Sequence, residues 1–183
     1  FPSDGDEADK LAFLVRYAVL APSSHNTQPW RFTVGEREIR IYVDRSRWLK
    51  VADADQRELT ISLGCALENL LVAAEHFGYG HATTYVPEGE ESDLAAVVEL
   101  RPNGEAREGR PEELFDAIPE RRTNHNVFDG RPLPQDVWER LQACDDGDEV
   151  SLRLTDDPAI KREVDEMIAE ADAIQVADPA WRE

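Results

Sequence analysis

The stretch Glu58–Gly80, ELTISLGCALENLLVAAEHFGYG, repeats apolar residues at three- and four-residue intervals: Leu59, Ile61, Leu63, Ala66, Leu67, Leu70, Leu71, Ala74 and Phe77. That spacing covers more than one helical face, so it predicts a central, well-buried helix from about Glu58 to Phe77. Gly78 supplies the stop, with Gly80 just beyond, and HATTYVP and LAAVVEL then read as two strands. Upstream, Ile39, Ile41 and Val43 alternate with Glu38, Arg40 and Tyr42, predicting that Arg31–Val34 and Glu38–Val43 form a hairpin around Gly35. An earlier helix, starting near Asp9, buries Leu11, Leu14, Val15, Ala18 and Val19 and is closed by Pro22.

Downstream, the charged and Gly- and Pro-bearing residues Pro102–Pro111 read as a linker. A short helix is expected around Glu113–Ile118, followed by the irregular RRTNHNVFDGRPLP. Pro134 and Asp136 stand where a further helix starts, with Val137, Leu141 and Cys144 on its buried face. Val150–Leu154 alternates as a strand, and a last amphipathic helix runs from Pro158 through Ile160, Val164 and Ile168 towards Ile174.

The chain has 183 residues and 39 Asp and Glu against 20 Lys and Arg, a formal charge of −19. Such a surface repels phosphates, which speaks against nucleic acid and anionic membranes as partners. Only Lys10, Lys50 and Lys161 are lysines, and the carboxylate excess suggests a salt-adapted, halophilic surface. Cys65 and Cys144 are too few and isolated for a disulfide framework and are expected to be buried thiols. No secretory signal and no apolar run of membrane-spanning length is visible, so a cytoplasmic location is expected.

GxSxG, GxGxxG, Walker and HExxH patterns are absent, and His25, His76, His81 and His125 are scattered, so no metal site is expected. Two segments stand out. Pro22–Trp30, PSSHNTQPW, offers hydroxyl, amide and backbone groups suited to the edge of a planar heterocycle. Arg121 and Arg122 in RRTN are a local positive excess that suits a phosphate, with Thr123 and Asn124 as neutral donors. Spacing alone leaves open whether these arginines simply pair with Glu112, Glu113 and Glu120.

The same two segments resemble the flavin-binding signatures of the nitroreductase family. APSSHNTQPWRF, Ala21–Phe32, is similar to that family's PSxxNxQPW loop, which contacts the flavin ring and ribityl chain. ERRTNHNVFDGRPLP is similar to its RRSxRxFxxxPVP segment, which grips FMN. RELTISLGCALENLLVAAEHFGYG resembles the family's central helix, and its RELxIS opening resembles the Acg-like branch, in which two nitroreductase-like halves are fused. The resemblance covers most of Asp9–Asp172.

It implies an α+β fold with an antiparallel-rich central sheet flanked by helices. The arginine segment, which opens an ordinary family member, here follows the PSxxNxQPW loop, so the chain is expected to be a pseudo-dimer of two degenerate halves. Residues 1–108 would be the first half and 109–183 the beginning of an incomplete second one. The implied activity is FMN-dependent reduction of nitroaromatic, quinone or similar flat acceptors with electrons from NAD(P)H. The alternatives are a flavin-sequestering protein with little turnover, and a remnant that binds no flavin. Arg121 and Arg122 would hold the phosphate, Thr123 and Asn124 the ribityl chain or ring edge, and Pro22, Ser23, Ser24 and Asn26 the ring. Arg57 is a further phosphate candidate, while Gln28 and Trp30 are expected to be structural. His125 and Asn126 stand where the family carries a second basic residue. The chain is expected to be a fragment of a longer protein, acting as a homodimer or pairing with a missing C-terminal half.

Overall fold

The computed structural model describes residues 1–89, 91–102, 113–144 and 150–182, which form two compact units, Phe1–Thr123 and Asn124–Glu183. In the first, helix α1 (Glu7–Ala18) starts where the Asp6 carboxylate accepts the Asp9 amide at 2.9 Å, satisfying a first-turn donor. Strands β1 (Trp30–Val34) and β2 (Glu38–Val43) pair in antiparallel register, with the Gly35 amide donating to the Glu38 carbonyl at 2.8 Å in the turn. Helix α2 (Arg57–His76) leads into β3 (Tyr79–Tyr85) and β4 (Leu94–Pro102). Gly78 ends the helix in the left-handed region at φ 79°, a conformation that favours glycine because it has no Cβ.

The four strands form an antiparallel sheet in the order β1-β2-β4-β3, so α2 carries the chain across the sheet between its two hairpins. The fold is α+β with an antiparallel sheet, as the family resemblance implies. One face of the sheet is dry: Ile39, Ile41, Val98 and Leu100 are buried against Leu11 and Leu14 of α1 and Leu63 and Leu70 of α2. This period-two burial in β2, set against the multi-faced burial of α2, is what the residue pattern demands. Ile61 is the exception, at 56% exposure: it shares a solvent-facing stripe with Arg57 and Gly64, where the first unit supplies no cover.

Helix α3 (Glu113–Glu120) belongs to this first unit. It packs on α2, burying Ile118 and half-burying Phe115. The compact division at Thr123 therefore lies beyond the expected repeat boundary at residue 108. The linker proposed for Pro102–Pro111 falls, after Pro102 itself, outside the described residues.

The second unit contains α4 (Gln135–Gln142) and α5 (Pro158–Ala177), with the Asp157 carboxylate accepting the Ala159 amide at 2.7 Å to start the latter. Two expectations fail here. Val150–Leu154 is not a strand: it lies outside the four-stranded sheet, and alternation alone does not supply the neighbouring strand that a ladder needs. Leu141 and Cys144 are exposed and Val137 only half-buried, so α4 has no dry face. No described residue of this unit is buried, because two helices with narrow apolar stripes do not enclose a core. Among the described residues, no helix is long and apolar enough to cross a membrane.

Candidate functional site

The loop between α1 and β1 is held by its own polar groups. The Asn26 amide donates to the Ser23 carbonyl at 2.9 Å, the Thr27 hydroxyl to the Ser24 carbonyl at 3.0 Å, and the Gln28 amide to the Ser23 hydroxyl oxygen at 2.9 Å. His25, Asn26 and Gln28 all sit in the left-handed region, at φ 49°, 55° and 51°. Asn and His tolerate that region better than most residues, but three such positions in four still cost free energy that the surroundings must offset. Gln28 and Trp30 provide the support expected of them: the Gln28 side-chain amide reaches the Val19 carbonyl at 3.5 Å, and Trp30 is buried in the core. Pro22 and Asn26 stand exposed, while Ser23 and Ser24 are half-buried. Behind the loop, a niche lined by Ser24, Thr27, Trp48, Asp53 and Ser62 has room for about 10 Å³. That is no more than a single water needs, so this niche admits no ring.

Arg121 is brought to this loop. α3 ends there, the Arg121 amide donating to the Ala117 carbonyl at 2.9 Å, and its guanidinium reaches the Leu20 carbonyl at 3.4 Å and the Thr123 hydroxyl at 3.3 Å. Leu20 lies two residues before Pro22, at the foot of the loop. Burial pushes the half-buried Cys65 thiol of α2 up, and the Arg121 charge pulls it back down. Arg122 turns the other way: its guanidinium donates to the Pro119 carbonyl at 2.8 Å and the Arg121 carbonyl at 2.7 Å, neutralising the end of α3. Asn124 opens the second unit, where its side-chain oxygen accepts the Asn126 amide at 3.0 Å.

Arg57 is exposed at the first turn of α2. The amide donors that a phosphate would seek there are already taken by the buried Asp53 carboxylate, which accepts Glu58 at 2.8 Å and Leu59 at 2.9 Å. Three supporting residues escape sequence reasoning. Asp53 lies in the run VADADQ, where an acid ahead of a helical pattern could have signalled a cap. Arg47 donates to the Thr27 carbonyl at 3.1 Å and steadies the loop from beyond β2; no local spacing announces that contact. Cys65 is placed near Arg121 by tertiary packing alone.

A protein of Mycobacterium tuberculosis named as an NAD(P)H nitroreductase is 30% identical over 128 residues, covering 70% of this chain and 37% of that protein. A second M. tuberculosis protein, named as the NAD(P)H nitroreductase acg, is 28% identical over 149 residues, covering 81% and 45%. The chain belongs to the nitroreductase family. No protein-family model matches it. This nitroreductase-family chain spans less than half the length of either relative. A solved Desulfovibrio desulfuricans protein, named as a nitroreductase in complex with FMN, aligns at 17% identity and a TM-score of 0.43 over 72% of this chain and 90% of that one.

Proposed function

We propose that this chain carries the flavin-binding face of an FMN-dependent oxidoreductase that takes electrons from NAD(P)H and passes them to a flat acceptor such as a nitroaromatic or a quinone. One observation carries the reading: the guanidinium of Arg121 stands at the Leu20 carbonyl, at the foot of the PSSHNTQPW loop. A cation and an exposed amide-bearing turn, far apart in sequence, thus share one surface of the first unit.

The donor chemistry fits FMN. An exposed guanidinium beside a threonine hydroxyl suits a phosphate, and the exposed Pro22 and Asn26 with the neighbouring Ser24 suit the rim of a planar ring. Arg121 and Thr123 would hold the phosphate end, while Ser23 keeps the loop closed. Arg122 serves the end of α3 first, and Arg57 lies outside the set because Asp53 already satisfies the helix donors there. FMN, when bound, supplies the redox chemistry; the chain supplies position, charge and exclusion of water on one side. Two fused repeats, each keeping what the other lost, explain the motif order.

A second reading, flavin retention with little turnover, is favoured by His125 and Asn126 standing where the family has a basic residue. The readings separate by experiment. FMN titration should show binding that Arg121→Gln weakens by roughly 1.5–3 kcal/mol, about 10- to 150-fold, the range for a charge-assisted hydrogen bond. Equal affinity in the variant refutes the placement of the flavin. Anaerobic NADPH should bleach the flavin absorbance; an unbleached, tightly bound flavin supports retention instead.

A further inference from the structure

We infer that the stacked rings of His76 and Phe115 are the positioning contact that holds Arg121 at the foot of the loop. α3 has 8 residues and contains Pro119, so it is too short to persist by its own hydrogen bonds. Its place depends on what its side chains touch. Phe115 lies parallel to the His76 ring, with centroids 3.6 Å apart and planes within 7°, and meets Tyr17 at 4.8 Å and Phe77 edge-on at 5.4 Å. Ile118, one turn on, is buried.

These contacts clamp α3 between the end of α2 and the last turn of α1. Arg121 follows one turn after Ala117 and reaches Leu20, three residues beyond Tyr17. The α1 terminus thus offers both the ring that steadies α3 and the carbonyl that receives its arginine. The exposed polar bond at 3.4 Å is too weak to locate a guanidinium by itself, whereas aromatic pairs contribute beyond their buried area. The consequence for FMN rests on the proposed flavin reading; the placement of Arg121 does not.

Cys65 reports that placement without any flavin, because burial and Arg121 push its thiol in opposite directions. The experiment is the pH–rate profile of iodoacetamide alkylation in the flavin-free full chain carrying Cys144→Ser, which removes the exposed thiol. Arg121→Gln should raise the midpoint. Phe115→Ala should raise it equally with Arg121 present and not at all in the Arg121→Gln background. His76→Phe, which keeps a ring, should leave it in place, whereas His76→Ala, at an exposed position tolerant of change, should repeat the rise.

A midpoint that falls in Phe115→Ala shows that Cys65 was uncovered without moving Arg121 and overturns the inference. So does an unchanged midpoint, or an equal rise in both backgrounds. If Phe115→Ala does not fold, the His76 pair decides by the same criteria. An FMN titration of the same variants separates the two claims. The expected thiol result with FMN affinity lost about tenfold or more in both Arg121→Gln and Phe115→Ala supports both. The expected thiol result with FMN affinity unmoved keeps the positioning contact and removes the flavin from Arg121.

Discussion

Removing the Asp53 carboxylate should unlatch the start of α2 and with it the support behind the loop. Both its oxygens are committed, one to the Glu58 amide at 2.8 Å and one to the Leu59 amide at 2.9 Å, in a residue only 5% exposed. Hydrogen bonds to a buried charge contribute about 1.5–3 kcal/mol each, but two from one carboxylate share a single desolvation cost. Asp53→Ala should therefore cost about 3 kcal/mol, a large part of the roughly 5–15 kcal/mol that holds a domain together. Asp53→Asn should cost about half as much, since its amide oxygen can accept one bond while its NH₂ group confronts the other donor. Asp55→Ala is the control: Asp55 is exposed and its oxygen lies 3.3 Å from the Arg57 amide, so the loss should stay within about 0.5 kcal/mol. Urea denaturation followed by far-ultraviolet circular dichroism gives all three values. If Asp55→Ala costs as much as Asp53→Ala, or Asp53→Ala costs less than about 0.5 kcal/mol, the latch is misassigned.

Tyr79 makes stability fall in alkali. Burial, with a hydrogen bond to Glu7, pushes its phenol up to about 12. Below pH ~10 the phenol is protonated in both states and the full stability is present; above that the unfolded chain ionises first, and stability drops by about 1.4 kcal/mol per pH unit towards pH 12. Tyr79→Phe should remove that part of the slope, and an identical slope in the variant would discard the assignment. The −19 chain should melt at higher temperature as KCl rises to molar concentration, where the Debye length shrinks to about 3 Å and self-repulsion is screened. A flat or falling melting temperature in calorimetry would end the salt-adaptation reading.

Period and punctuation were legible throughout the first unit. Alternation in Glu38–Val43 announced both the strand and its buried face, and apolar spacing with Gly78 bounded α2 to within a residue at each end. Both signals are local, since a strand or helix needs only its own neighbours to set which way successive side chains point. The loop was legible too, because PSSHNTQPW pairs chain-reversing residues with their hydrogen-bonding partners inside nine positions. Where a signal needed a distant partner, local reading failed. Val150–Leu154 alternates like a strand but does not join the sheet, and α4 carries apolar residues that no core buries among the described residues.

Arg121 and Arg122 show the division most sharply. In sequence they are equivalent neighbours on a short basic segment; in the fold one reaches the Leu20 carbonyl and the other turns back on α3. Residue chemistry alone determined that the chain owns a polar loop and a cation pair. Which guanidinium meets that loop depends on how α3 leans against the rings of α1 and α2, and only tertiary packing sets that, because both arginines lie just past the helix end, where no helical period fixes their directions.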